Sequence, residues 1–207
     1  MECSNTEPTL EAKIQQGREL IIQAPQLFIS VDIEADGIAG RGSILEIAGV
    51  SPDGQSIFSS LVFPKNQLFI PEYQQFCDNH GLSRDQLRDA PRSPVVIREF
   101  ADWVESLCKM YQKEAVFTGF NAGYDKALFD LYCIELGIQN PFVTSPLDIK
   151  SMVFGLLGSP WGWDATKKSS LPDNLKPERK FSHQALDDAK YQLEILCLIA
   201  YESTNLN

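Results

Sequence analysis

The chain of 207 residues is 43% hydrophobic and 22% charged, with a formal net charge of −10. Those values suit one sizeable α/β domain with its own core, and the acidic balance excludes a broad basic face for gripping nucleic-acid backbone. No apolar run reaches the length of a membrane span, no basic-then-apolar leader opens the chain, and the five cysteines are scattered without a C-x-x-C pair, so free thiols in a reducing, cytoplasmic compartment are expected rather than disulfides or zinc.

Residues 1–24 read as an N-terminal extension, partly helical, ahead of a single domain over 25–204. Leu10, Ile14 and Ile21 recur at helical spacing, with Gly17 completing the series and weakening the helix, and Pro25 ends it. Three strands follow, "QLFISVDIEA", "SILEIAGVS" and "QSIFSSLVFP", the last two joined by the turn signal Pro52-Asp53-Gly54. Pro71 to Asn79 reads as a short helix ended by His80-Gly81, and "SRDQLRDA" as another with a serine N-cap. Residues 94–112 have the 3.6 period of a long helix. "EAVFTGFN" is a strand, "GYDKALFDLYCIELG" a helix closed by Gly137, and "FVTSPLDI" a further strand. Residues 158–182, rich in Gly, Pro, Ser and Lys, read as a long loop before a last helix, "SHQALDDAKYQLEILCLIAYES". A meander of strands followed by alternating strands and helices predicts an α/β fold: a mixed central sheet of about five strands, with an antiparallel β1-β2-β3 meander and helices on both faces.

Acidic residues sit at three element ends. Asp32 and Glu34 are two apart on a core-like strand, so they share a face and repel unless a cation lies between them; the alternative is a strand that has already ended in a solvated loop. Asp125 opens a helix, where pairing with the helix dipole is sufficient explanation by itself. His183, Asp187 and Asp188 cluster at the start of the last helix, where the same explanation serves the acids. Taken together, Asp32, Glu34, Asp125, Asp188 and His183 fit a site for two hard divalent cations and a general base.

These residues fall into a known pattern. Asp32-x-Glu34, then Asn121 and Asp125 in "NAGYD", then His183, Ala185 and Asp188 in "HQALDD" stand in order and at the spacing of the three motifs of the DEDDh-type 3′–5′ exonucleases, the family of proofreading exonuclease subunits and related ribonucleases. "ILEIAGV", "HGLSRDQL" and "SPLDIKSM" are smaller echoes, and the resemblance covers about residues 27–202. It implies a ribonuclease H-like fold and hydrolysis of terminal phosphodiester bonds at single-stranded DNA or RNA 3′ ends, with release of nucleoside 5′-monophosphates. It implies two Mg²⁺ or Mn²⁺ ions, with Asp32 bridging, Glu34 and Asp188 on the water-side ion, Asp125 on the second, and His183 as base. An acidic chain is compatible with that activity, because it need hold only the last few nucleotides and the metals bring positive charge to them.

Five residues of α-helix turn through roughly 140°, so His183 and Asp188 can meet only if His183 lies at or before the helix start; Asp187 would share a helical face with His183, but the family pattern selects Asp188, which leaves Asp187 as a helix-dipole or surface residue. His80, Asn121 and Tyr124 match positions near the bound terminal nucleotide, His80 having a helix-ending role as its alternative. Ile38 and Phe120 are candidates to stack on or wedge a base, Phe120 having core packing as its alternative. Phe120 replaces a histidine frequent in the family, and Tyr124 a phenylalanine. Lys167, Lys168, Lys176, Arg179 and Lys180, with Trp161 and Trp163 before them, suit a single strand or else form a solvated loop with its tryptophans packed inward. A catalytically silent module that binds nucleic-acid ends on the same fold is the alternative function. Neither a polymerase partner nor membrane association follows from the sequence.

Overall fold

The computed structural model describes residues 7–65, 77–157, 162–180 and 182–204. The helix α1 (Leu10–Gln23) comes first, capped by the Thr9 hydroxyl, which accepts a hydrogen bond from the Ala12 N–H. Then come β1 (Leu27–Ala35), β2 (Ile44–Val50) and β3 (Ile57–Leu61), an antiparallel meander. The turn between β2 and β3 closes through Gly54 N–H to Ser51 C=O at 2.8 Å, with Gly54 at φ 75°, as Pro52-Asp53-Gly54 predicts. After α2 (Ser93–Tyr111), β4 (Ala115–Gly119) joins β1 in parallel. Then α3 (Ala122–Leu136) leads to the two-residue β5 (Leu147–Asp148), α4 (Ile149–Leu157) and the last helix, α5 (Ala185–Thr204). The five strands lie in the order β3-β2-β1-β4-β5, the mixed sheet that the sequence predicts.

Alternation along β1 divides the core in two. Leu27, Ile29, Val31 and Ile33 pack with Val96, Phe100 and Val104 of α2 and Leu128 and Phe129 of α3. Phe28, on the opposite face, packs with Ile21 of α1, Ile149 and Val153 of α4, and Ala189, Leu193 and Leu196 of α5. A sheet with a buried cluster on each face is the sandwich expected of a chain whose parallel strands are linked by helices.

The glycine of α1 has a packing role. A Cβ on Gly17 would lie 1.8 Å from the carbonyl oxygen of Cys197, so the absence of a side chain lets α1 and α5 cross backbone to backbone. Three local readings change. "SRDQLRDA" is not a helix: Ser83 and Gln86 exchange the reciprocal hydrogen bonds of a capping box, but the segment stops after successive turns at 84–89, just before Pro91. "FVTSPLDI" gives only a bridge from Phe142 to Ala115 and the two residues of β5, since Pro146 has no N–H to give a ladder. The loop over residues 162–180 is largely exposed, as is Trp163, but it is built of short 3₁₀ turns at Trp163–Thr166, Lys168–Ser170 and Asp173–Leu175, anchored by buried Thr166, Leu171 and Leu175. Most of the helix read at Pro71 to Asn79 lies outside the described residues, as does Trp161; residues 77–79 are helical.

Candidate active site

The site forms where β1 and β4 part. Their pairing runs from Leu27↔Ala115 to Ser30↔Thr118 and stops there. Past that point the fully buried Gln192 of α5 spans the gap, donating from Nε2 to the Val31 carbonyl and accepting from the Phe120 N–H, both at 2.8 Å. Crevices of this kind, at the carboxyl ends of parallel strands, are where open α/β sheets place their ligands.

Three elements deliver acids to this opening. Ser30 faces α5, its hydroxyl donating to the Ala189 carbonyl at 2.7 Å. Asp32 and Glu34 follow in phase with it, so both point toward the first turn of α5. Asp125 arrives from the first turn of α3, its Oδ1 accepting the Ile33 N–H at 3.1 Å. Asp188 is buried in the first turn of α5, its Oδ1 accepting the Ser182 N–H at 3.2 Å. Asp187 turns aside to accept from the Ser182 hydroxyl and, in the first turn of α5, complements the helix dipole.

His183 precedes α5 with a left-handed backbone, φ 56°. That kink resolves the five-residue problem: ligand atoms of Glu34, His183 and Asp188 all lie within 4.8 Å of one another. The ring of His80 meets His183 edge-on, centroids 4.6 Å apart.

Asn121, also left-handed (φ 70°), caps α3 and is exposed. Its N–H is held by Asp148 Oδ1 at 2.8 Å. The Tyr124 hydroxyl donates to the Gly37 carbonyl at 2.6 Å and so ties the 36–43 loop to α3. Asp36, buried, closes the base of that loop by pairing with Ser43 through both backbone and carboxylate, and Ile38 projects from it, 53% exposed. Phe120 instead packs among the apolar side chains of α4 and α5.

The electrostatics of the cluster suit a cation. Burial raises Asp32 to about 7, with Lys168 opposing and Asp188 and Glu46 reinforcing the rise. Burial, then Asp32, Asp188 and Glu46, raise Glu34 to about 8. Asp125 is pushed well above the usual carboxylate range by burial and by Asp32, and Asp188 is raised by burial against the pull of Lys168. Carboxylates gathered this closely resist ionising together. Oxygen donors in a partly dry crevice are what Mg²⁺ or Mn²⁺ requires, so the residues fit such ions. His183 is held below its ordinary value by burial, His80 and Lys168, which keeps its imidazole neutral and able to accept a proton near pH 7.

Three neighbours add to the site: Glu46 and Asp148 were not singled out from the sequence, and Lys168 was named only as one of five basic residues suited to a single strand. Glu46 lies directly across from Glu34 in the β1–β2 ladder, and its Oε2 accepts the Ala185 N–H at 3.1 Å. Its signal was the same as that of Asp32, an acid inside an apolar strand. Lys168 brings Nζ to 4.0 Å from Asp188 Oδ2; nothing local distinguishes it from the other lysines of its loop. Asp148 gathers the N–H groups of Asn121, Ala122 and Lys150 and the Ser151 hydroxyl, thereby joining the starts of α3 and α4.

Comparison with known proteins agrees with this arrangement. The family model described as Exonuclease (RNase_T) matches residues 29–196. The chain is 38% identical over 178 residues to the 3′-5′ DNA exonuclease Cap18 of Escherichia coli, covering 84% of this chain and 91% of that protein. Among solved structures, the nuclease domain of 3′hExo, a DEDDh family member, bound to rAMP superposes with a TM-score of 0.68 at 17% identity, over 84% of this chain and 92% of that one. A 3′-exonuclease that recognises the histone mRNA stem-loop gives 0.69 at 16% identity, over 86% of this chain and 64% of that one. The fold is therefore ribonuclease H-like, that of the DEDDh nuclease on which it superposes, and the chain belongs to the exonuclease family, as a 3′–5′ exonuclease.

Proposed function

We propose that the enzyme removes nucleotides one at a time from single-stranded DNA or RNA 3′ ends and releases nucleoside 5′-monophosphates. The observation that carries this reading is the meeting of Glu34, His183 and Asp188 within 4.8 Å, at the opening that also receives Asp32 and Asp125. Two divalent cations, Mg²⁺ or Mn²⁺, would supply a polarised water and stabilise the leaving 3′-oxygen. Asp32 would contact both ions, Glu34 and Asp188 the one on the water side, and Asp125 the other. His183, neutral at pH 7, takes the proton from the attacking water. The new bond joins the water oxygen to phosphorus and the broken one is P–O3′, so the departing nucleotide keeps its 5′-phosphate and the shortened strand ends in a 3′-hydroxyl. His80 stands beside the base, its ring edge-on to that of His183, where it can meet the terminal nucleotide. Asn121, Tyr124 and Ile38 line the approach for the terminal nucleotide, whereas the packing of Phe120 supports a structural role.

DNA is the first substrate to test, since the 38% identical relative is named as a DNA exonuclease. The cysteines Cys77, Cys108, Cys133 and Cys197 are free thiols, which suits a cytoplasmic enzyme. No described helix is long and apolar enough to cross a membrane. The experiment is digestion of matched DNA and RNA strands, single and double, with Mg²⁺ or Mn²⁺ and product identification by mass spectrometry. The expected product is nucleoside 5′-monophosphate from single strands; 3′-monophosphates or internal fragments would refute the assignment.

A further inference from the structure

The crevice holds one negative charge more than the proposed ligands and their ions account for. Asp32, Glu34, Asp125 and Asp188 carry as much negative charge as two divalent cations carry positive. Glu46 adds a fifth carboxylate, facing Glu34 across the ladder and fixed by the Ala185 N–H. The fully ionised, metal-loaded crevice would then be net negative, and it must admit a phosphodiester whose own charge grows in the transition state.

Lys168 is placed to restore the balance. Its Nζ lies 4.0 Å from Asp188 Oδ2, its side chain is only 18% exposed, and the ammonium is set over the rings of Phe120 at 5.4 Å and Tyr191 at 5.9 Å. Those rings favour a cation over a neutral group. The preceding Thr166 is buried and Leu171 follows in the core, so the 3₁₀ turn Lys168–Ser170 is held at both ends. Lys168 also acts electrostatically on Asp32, Glu34 and His183 as well as on Asp188.

We infer that Lys168 is a positioning residue for the scissile phosphate, its ammonium offsetting Glu46 so that the loaded site does not repel the substrate. This rests on the metal-dependent exonuclease reading. It assigns a function to the basic loop that is specific to one lysine, and it makes Glu46 and Lys168 opposed influences on the same carboxylates, Asp32 and Glu34, although they come from different elements.

The test is a double-mutant cycle on the full chain, with Mn²⁺ titrated calorimetrically without nucleic acid and kcat/KM measured on a single-stranded oligonucleotide. Lys168→Met should lower kcat/KM roughly tenfold or more while binding Mn²⁺ at least as tightly as wild type, because a competing cation is gone. Lys168→Arg should stay within about threefold of wild type. Glu46→Gln keeps an oxygen for the Ala185 N–H, so the double variant Glu46→Gln/Lys168→Met should recover most of the loss, which a merely structural lysine would not allow. An unchanged kcat/KM in Lys168→Met, weaker Mn²⁺ binding in that variant, or no recovery in the double variant would overturn the inference while leaving the exonuclease intact. Absence of both Mn²⁺ binding and trimming in wild type would overturn the underlying reading as well.

Discussion

Burying Asp32 and Glu34 together costs the fold stability once they ionise. Their pKa values, about 7 and about 8, lie above those of free carboxylates, so the folded chain holds protons that the unfolded chain releases. Without metal, each is harmless below pH 4, where both states are protonated. The penalty grows as pH rises through the range 4 to 8 and is complete above the folded pKa. In EDTA the melting temperature should therefore fall between pH 5 and pH 8, by about 5 °C or more, and Mn²⁺ should restore it at pH 8. Differential scanning calorimetry at the two pH values reads this directly; a melting temperature that rises with pH, or ignores Mn²⁺, would contradict it. The same reasoning makes Asp32→Asn a variant of opposite effects. It should raise the melting temperature in EDTA at pH 8 by a few degrees, by relieving repulsion, and lower trimming by about a thousandfold or more.

At the scale of elements, the chain states some things plainly and others not at all. The strand β1 was legible as an apolar run, the acids interrupting it pointed to a site, and Gly137 ended α3 as a left-handed cap, φ 62°. The placement of His183 followed from helix rotation once the family pattern had paired it with Asp188. Gly17 was legible as a weak point but not as a crossing point, because its partner, the Cys197 carbonyl, lies 180 residues along the chain. Lys168 and Glu46 were hidden for the same reason: their role depends on charges from other elements. β5 shrank because backbone hydrogen bonding, not apolar character, decides where a ladder ends. The Gly17 contact has a direct consequence. Gly17→Ala forces a methyl group into a backbone carbonyl, so α1 must shift from α5, and the loss in helix packing should exceed the gain in helix propensity. Urea denaturation should show destabilisation by about 1–3 kcal/mol; a stabilised variant would mean that α1 is not seated on α5 as described.

At the scale of the whole molecule, an acidic chain with net charge −10 acts on a polyanion by confining attraction to one crevice. Its grip on substrate should involve few phosphates. Between 50 and 200 mM salt, KM for a single-stranded oligonucleotide should rise less than about tenfold, well short of the steep loss shown by proteins that neutralise many phosphates. Steady-state kinetics across that range measures it, and a thousandfold rise would point to an extended basic track. The fold supports this economy: two helix starts, α3 and α5, and one strand end converge where the parallel pair parts, and a single glutamine closes the backbone gap behind them.

The most direct measurement follows a 5′-labelled single strand in Mn²⁺, with wild type and Asp188→Asn side by side and EDTA as the control. The expected result for wild type is a one-nucleotide ladder receding from the 3′ end, abolished by EDTA and by the substitution. Trimming that persists in EDTA, or at full rate in Asp188→Asn, would contradict a metal-dependent site built on these carboxylates.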